Sequence, residues 1–166
     1  MAKPNRIFVI GHMGAGKALL SEALAKKLDW QYIDANPSLE RYIGRNLNEI
    51  VGKQGEEAFH ACEAEIISHH INKKHIVVVL EEGVVASEKN RKLLSSEYVI
   101  YLKVSPSTQI ERMKDGRVPL LPIANLNEFL EKQHHERDHY YEEIATLIIN
   151  SQGIEEDLDT IMQSMR

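Results

Sequence analysis

Residues 76–80 read Ile-Val-Val-Val-Leu, so every position of this short run is apolar. A strand with one face in water alternates apolar and polar residues, whereas a strand that is apolar throughout is buried on both faces. Four further strand-like runs lie along the chain, at 7–10, 31–33, 98–102 and 147–149. Amphipathic segments typical of helices separate and follow them, at 18–28, 56–71, 87–95, 126–145 and 153–165. This alternation predicts a three-layer α/β fold with a doubly wound, five-stranded parallel sheet.

Length and composition limit the domain count and the class of protein. A chain of 166 residues and 19.0 kDa predicts a single domain over 1–166. The net charge of −5 argues against a nucleic-acid or anionic-membrane binder. The single cysteine, Cys62, excludes an intramolecular disulfide and fits a reducing compartment, and we expect it to pack in the core. The first residues resemble neither a signal peptide nor a membrane span, so we expect a cytoplasmic monomer.

A glycine-rich loop follows the first predicted strand. Residues 11–18 read Gly-His-Met-Gly-Ala-Gly-Lys-Ala, between an apolar run and an amphipathic helix. In this context the pattern is typical of a phosphate-binding loop, where glycines turn backbone N–H groups toward phosphates and the helix N-terminus adds a favourable dipole. Lys17 is expected to reach the β- and γ-phosphates of ATP or ADP. The predicted nucleotide-binding residues in this loop and helix are Gly11, Gly14, Ala15, Gly16, Lys17, Ala18 and Leu19.

The eighth position of the loop lacks the usual ligand of magnesium. A Ser or Thr hydroxyl normally binds Mg²⁺ there, whereas this chain has Ala18, followed by Leu19. Ser21 lies nearly one turn further along the helix and is expected to point away from the phosphates. The loop is therefore predicted to bind phosphate without its usual direct Mg²⁺ ligand.

From this loop onward nearly the whole chain resembles the shikimate kinases, small relatives of the nucleoside monophosphate kinases. The resemblance rests on several short motifs in the family's order. They are Ile-Asp-Ala-Asn at 33–36, Gly-Arg-Asn-Leu-Asn-Glu-Ile at 44–50, Gly-Glu-Glu-Ala-Phe-His-Ala-Cys-Glu at 55–63, Leu-Glu-Glu-Gly at 80–83, Val-Ile-Tyr-Leu at 99–102, Arg-Val-Pro-Leu-Leu at 117–121, and Arg137, Tyr141 and Ala145. The resemblance implies a nucleotide-binding core with a lid at about 114–125 and ATP-dependent phosphorylation of shikimate.

The resemblance also implies roles for individual residues. Lys17, Asp34 and Arg117 match catalytic positions, and Asp34 is placed to hold Mg²⁺ through water. Arg112 stands at the position that stacks on adenine. The positions that match acceptor-binding residues are Asn36, His60, Glu82, Gly83 and Arg137.

The acceptor side departs from the family pattern at Asn36, at His60 and at the Glu81–Glu82 pair. Asn36 replaces an Asp that binds the shikimate hydroxyls and acts near the proton transfer, and an amide cannot usefully accept a proton. His60 replaces an Arg that binds the shikimate carboxylate. Glu81 and Glu82 replace the first two residues of a triple-glycine turn. The lid arginine is also displaced by one position, with Val118 before the proline.

These departures make the acceptor side acidic unless Arg137 neutralises it. The sequence therefore predicts poor binding of shikimate and a preference for cationic or neutral polyhydroxylated ligands. Two alternatives stay open: Glu82 pairs with Arg137 while Glu81 faces solvent, or Glu81 replaces the missing Mg²⁺ ligand. Three functions follow, namely a nucleotide-binding protein with impaired shikimate kinase activity, an active kinase for shikimate or a changed acceptor, and a non-catalytic nucleotide- or ligand-sensing module.

A competing motif occurs at 135–139, which reads His-Glu-Arg-Asp-His. On a helix, the first and last histidines lie one turn apart and could bind zinc, with Glu136 as the base of a metalloprotease. The register of the shikimate kinase motif explains the same stretch, and no third ligand is evident. We therefore expect the doublets at 69–70 and 134–135 to be solvated helix faces.

Overall fold

The computed structural model describes residues 3–35, 53–114 and 125–166, and a parallel sheet runs through their centre. Its strands are β1 (Arg6–Ile10), β2 (Gln31–Asp34), β3 (Ile76–Val79), β4 (Val99–Lys103) and β5 (Leu147–Asn150). Their order is β2-β3-β1-β4-β5, and every neighbouring pair is parallel. The predicted fold class is thereby confirmed.

Six α-helices in the described ranges flank the sheet. They are α1 (Lys17–Leu28), α2 (Lys53–Ile71), α3 (Glu88–Leu94), α4 (Pro106–Met113), α5 (Leu126–Ile144) and α6 (Ile154–Ser164). A 3₁₀ turn at Glu82–Ala86 precedes α3. Helix α4 was not predicted, although Ser105 caps it by accepting a hydrogen bond from Thr108 N and Pro106 occupies its first turn.

Strand β1 shows why the molecule has three layers. Ile7 and Val9 pack on one face of the sheet, whereas Phe8 and Ile10 pack on the other. Because successive side chains of a strand point to opposite faces, a fully apolar strand needs a cover on both sides. Helices α1 and α6 supply core residues on the first face, and α2, α3 and α5 supply them on the second.

The order of the strands positions the candidate site. Strand β1 lies between β3 and β4, so the chain leaves the central strands on opposite sides at their carboxyl ends. Ligands of open α/β sheets bind at such a reversal of strand order. The glycine-rich loop after β1 and the turn after β3 therefore lie side by side.

Part of the predicted site falls outside the described ranges. This holds for Asn36, the motif at 44–50, Arg117, and all of the predicted lid except its ends at 114 and 125. Among the residues that the structure does describe, none of the helices is both long and apolar enough to cross a membrane.

Candidate nucleotide and acceptor site

The loop after β1 turns through three glycines in the left-handed region of backbone conformation. The φ angles are 148° at Gly11, 73° at Gly14 and 91° at Gly16. At Gly11 a Cβ atom would lie 2.7 Å from the carbonyl oxygen of Leu102, which belongs to the neighbouring strand β4. Such a contact with backbone is not relieved by a rotamer change, so this position requires glycine.

Lys17 holds the first part of the loop. Its ammonium group is buried and donates to the carbonyl oxygens of Gly11, at 2.8 Å, and His12, at 2.9 Å. The carbonyl and N–H groups of a trans peptide unit point in opposite directions, and no described peptide bond is cis. These bonds therefore direct the following N–H groups away from the lysine, as in an anion-binding loop.

Two residues of helix α4 hold the rest of the loop. Gln109 Nε2 donates to the carbonyl oxygen of Met13 at 2.8 Å, and Arg112 Nη1 donates to that of Ala15. Arg112 Nη2 also donates to Ser151 Oγ at 2.9 Å, beyond the end of β5. Arg112, whose guanidinium is expected to stack on adenine, therefore also supports the phosphate loop. Its contact with a base stays a prediction.

Three carboxylates partly offset the burial of Lys17. Burial lowers the pKa of its ammonium, whereas Glu82, Glu81 and Asp34 raise it. Asp34 ends β2 opposite Val79, the last residue of β3, so it lies beside the turn that carries the two glutamates. The structure thus brings together residues that are far apart in the sequence around one lysine.

The loop environment does not supply the usual direct ligand for magnesium. Ala18 is exposed at the start of α1 and has no donor atom. Ser21 has no exposed surface, and its Oγ has no hydrogen-bond partner within the described residues. It therefore does not replace the missing hydroxyl, and the roles of Asp34 and Glu81 as ligands of Mg²⁺ both stay predictions.

In the turn after β3, Glu81 stands at a position where the family pattern has a glycine without a side chain. Glu81 Oε2 accepts a hydrogen bond of 2.8 Å from the backbone N–H of Gly83. A Cβ at Gly83 would lie 3.0 Å from this oxygen and 3.6 Å from Arg137 Nη2. A carboxylate and a guanidinium of the protein itself therefore lie against the same glycine.

Glu81 does not simply face solvent: it is half-buried, and its carboxylate accepts from Gly83 N–H. Burial, together with the charges of Glu82 and Glu63, raises its pKa well above the ordinary value, although Arg137 opposes the shift. The other part of the solvent-facing alternative was an ion pair between Glu82 and Arg137. Among the ion pairs of residues 3–35, 53–114 and 125–166, this pair does not occur.

Sequence reasoning overlooked Glu63, which fixes His60. Glu63 is 4% exposed, and its Oε1 lies 2.6 Å from His60 Nδ1 and 3.4 Å from Asn90 Nδ2. Burial raises the pKa of Glu63, and the interaction with His60 lowers it. His60 and Glu63 are three residues apart on α2, and this spacing puts both side chains on one helix face. That spacing was the sequence feature from which their contact could have been predicted.

Comparison with known proteins assigns this arrangement to a family. The sequence profile of "Shikimate kinase" matches residues 13–166. The chain belongs to the shikimate kinase family. A shikimate kinase of Legionella pneumophila (strain Corby) is 38% identical over 147 residues, which are 87% of this chain and 84% of the relative. One from Francisella tularensis subsp. holarctica (strain OSU18) is 35% identical over 156 residues, 92% of this chain and 89% of the relative.

Solved structures support the same assignment. The shikimate kinase of Acinetobacter baumannii in complex with shikimate superposes with a TM-score of 0.84 at 28% identity, covering 97% of this chain and 92% of that one. A gluconokinase from Sinorhizobium meliloti has a TM-score of 0.66 at 19% identity over 99% of this chain and 95% of that one, which indicates a shared fold alone.

In the present chain, the His-Glu-x-x-His motif at 135–139 does not form a zinc site. His135 and His139 are exposed on α5, and the group of metal-ligating side chains found among the described residues is a different one, made by His12, His134 and Asp138. The expectation of solvated doublets holds for His135 and is wrong for His134, which turns inward because adjacent helix residues differ by about 100° in direction.

The second doublet and the cysteine also differ from expectation. His69 is exposed as predicted, whereas His70 is 7% exposed and its Nδ1 has no partner in the described part of the chain. Cys62 is half-buried on α2 rather than enclosed in the core.

Proposed function

We propose that this chain binds the phosphates of ATP or ADP in the loop at 11–18 and is a strongly impaired shikimate kinase. The observation that carries the impairment is the hydrogen bond from Gly83 N–H to the Glu81 carboxylate, beside Arg137. In the family pattern this turn offers backbone donors and positive charge to the carboxylate of shikimate. In this chain a carboxylate of the protein already accepts from that donor.

The nucleotide side supports binding. Side chains of the protein hold the carbonyl oxygens at 11, 12, 13 and 15, so the opposite faces of these peptide units present N–H groups to an anion. Lys17 Nζ uses two of its three N–H donors on backbone carbonyls, which leaves a third for a charge-assisted bond to phosphate. No step is assigned to Mg²⁺, because Ala18 and the buried Ser21 do not provide its direct ligand.

The acceptor side disfavours an anionic substrate. A free carboxylate would have to displace Glu81 from Gly83 N–H, and a hydrogen bond to a charged group contributes about 1.5–3 kcal/mol. Glu82 adds a second acid on the same turn. His60 is shorter than the arginine of the family and is engaged by Glu63.

Loss of a proton acceptor is expected to lower the rate as well. Asn36 stands at the family's second Asp, and a general base contributes about 10²- to 10⁴-fold to the rate. Together with the weaker binding, we expect kcat/KM for shikimate to fall by at least about 10³-fold, although such effects do not add independently.

The acidic turn also favours a second candidate, a kinase for a changed acceptor. Glu81 and Glu82 lie within the Coulomb field of the same buried lysine, and they suit a cationic or neutral polyhydroxylated ligand better than a carboxylate. A thermal-shift panel of amines, neutral polyols and carboxylates, with ADP present, tests this candidate. Stabilisation by carboxylates alone, lost in Arg137→Ala, would contradict it.

The main experiment separates nucleotide binding from phosphoryl transfer. ADP is titrated by calorimetry into the wild type, Lys17→Ala and the control Lys27→Ala, which removes an exposed lysine of the same helix. We expect only Lys17→Ala to lose affinity. A coupled ADP-release assay with shikimate, ATP and Mg²⁺ is run beside the Legionella pneumophila relative. Undetectable ADP binding at millimolar concentration contradicts the nucleotide site, and a rate equal to that of the relative contradicts the impairment.

A further inference from the structure

Three side chains with metal-ligating atoms join the phosphate loop to helix α5. His12 Nε2 lies 2.6 Å from Asp138 Oδ1, and His134 Nδ1 lies 3.0 Å from Asp138 Oδ2. One ligand atom from each residue falls within 4.8 Å of the others. His134 and Asp138 share a helix face because they are four residues apart, and His12 reaches them from the loop.

Gln109 determines which nitrogen of His134 carries the hydrogen. Its amide NH₂ donates to the carbonyl oxygen of Met13 at 2.8 Å, so its Oε1 is the atom that faces His134 Nε2, at 2.6 Å. This carbonyl oxygen can only accept, and His134 Nε2 must therefore be the donor. In the neutral imidazole, Nδ1 then presents a lone pair to Asp138 Oδ2.

A lone pair 3.0 Å from a carboxylate oxygen needs a cation between the two atoms. The second ring does not supply that cation, because His12 Nε2 faces the other carboxylate oxygen, Asp138 Oδ1, at 2.6 Å. The two rings also stack with their centroids 3.8 Å apart, so two imidazolium charges would repel each other. A metal ion shared by all three groups would supply it.

We propose that His12 Nε2, His134 Nδ1 and the Asp138 carboxylate bind a divalent transition metal, with Zn²⁺ as the representative ion. Two imidazoles and one carboxylate are a donor set that zinc accepts, with ligand distances of about 2.0–2.2 Å and a fourth position for water. The side chain of Asp138 is 31% exposed, which leaves that position open to solvent. The bond from His134 to Gln109 is the outer contact that orients metal-binding histidines.

The stacked rings define what must move on binding. Their planes are already inclined by 28°, and a shared ion requires them to open further. His12 Nε2 donates to Asp138 Oδ1 without metal, so its hydrogen must move to Nδ1 before both lone pairs can converge on the ion. His134 and Asp138 can adjust because neither is fully buried, whereas His12 is fixed with its side chain 2% exposed. Because the ion would connect residue 12 of the loop to α5, it stabilises that junction without depending on the proposed nucleotide or acceptor binding.

The test uses the full chain, stripped of metal by a chelator and free of nucleotide. Zn²⁺ alone is titrated by calorimetry at pH 7.5, and Co²⁺ serves as a coloured substitute whose visible spectrum reports the coordination geometry. We expect one equivalent to bind with micromolar affinity or better. His134→Ala should weaken binding by at least about 100-fold, since loss of an outer contact alone costs about 10- to 100-fold.

Matched variants make each outcome decisive. His135→Ala removes the adjacent, exposed histidine and should leave Zn²⁺ affinity unchanged, whereas Asp138→Ala should weaken it as His134→Ala does. Unfolding curves without metal establish that each variant folds. Absence of Zn²⁺ binding by the wild type would overturn the proposal. Retained binding in His134→Ala, or equal loss in His135→Ala, would also overturn it.

Discussion

Removal of the Glu81 carboxylate should restore binding of shikimate. In the wild type, Gly83 N–H donates to Glu81 Oε2 at 2.8 Å, and Arg137 Nη2 lies against the same glycine. Glu81→Ala frees this donor and removes an acid whose pKa is raised by its own burial. A substrate carboxylate can then approach the N–H group and the guanidinium without displacing a side chain.

The expected magnitude follows from one charged hydrogen bond. A bond of this kind contributes about 1.5–3 kcal/mol, and about 1.4 kcal/mol corresponds to a tenfold change in affinity. We therefore expect the Kd for shikimate to fall by about 10- to 150-fold in Glu81→Ala. The variant also loses the cap of the 3₁₀ turn, so its unfolding free energy should fall by about 0.5–2 kcal/mol unless relief of the buried acid offsets the loss.

Calorimetry with two substitutions distinguishes occupation of the donor from simple repulsion. Glu81→Gln removes the ionisable group but keeps an oxygen that can accept from Gly83 N–H. If occupation matters, Glu81→Ala binds shikimate more tightly than Glu81→Gln; if charge alone matters, the two variants bind equally. Glu88→Ala, which removes a glutamate with a side chain 73% exposed, is the control for net charge. A wild-type Kd equal to that of Glu81→Ala would refute the reasoning.

Three further outcomes are expected. Gly11→Ala should lower ADP affinity at least about tenfold and stability by about 1–3 kcal/mol, because its Cβ would lie 2.7 Å from a backbone oxygen at a φ of 148°. Gly153→Ala is the control: at its φ of −178° any residue fits, and its Cβ would lie 2.7 Å from the end of the Glu156 side chain, which can rotate away. Equal effects of the two substitutions in calorimetry and urea unfolding would contradict the steric argument. Ala18→Ser should increase the enhancement of ADP affinity by Mg²⁺ in calorimetry, and an enhancement already present in the wild type would contradict the missing-ligand argument. Burial lowers the pKa of His70 to about 4, so folding favours its neutral form and the free energy of unfolding falls as the pH drops from 6.5 toward 4. His70→Leu should remove about 1–2 kcal/mol of the loss in unfolding free energy between pH 7 and pH 5, as measured by urea unfolding. An unchanged dependence of the unfolding free energy on pH would count against this reasoning.

The sheet could be predicted because its signal is local. Runs that are apolar at every position identify strands buried on both faces, and the turn after the first run carries its own glycine pattern. Helix α4 gave a weaker signal, because it has only eight residues and several of them are polar. Its Ser105-Pro106 start was the available indication.

The candidate site was less accessible to sequence reasoning, because its decisive contacts join distant residues. His12 and Asp138 are 126 positions apart, and no local pattern indicates that they meet. The motif at 135–139 begins at His135, one position from His134, and it is His134 that faces the loop. The hydrogen bond that Gly83 N–H donates to Glu81 depends on the backbone of a 3₁₀ turn, which the pattern at 80–83 did not specify.

The side-chain contacts behind the phosphate loop have a consequence for how a nucleotide would be recognised. Gln109 and Arg112 hold the loop from α4, and Lys17 holds it from α1, before any ligand arrives. A loop already ordered in this way loses little conformational entropy when an anion binds, so more of the interaction energy appears as affinity. The loop is therefore a preorganised binding site that selects anions by shape. Its backbone has little capacity to adapt to an anion of a different size.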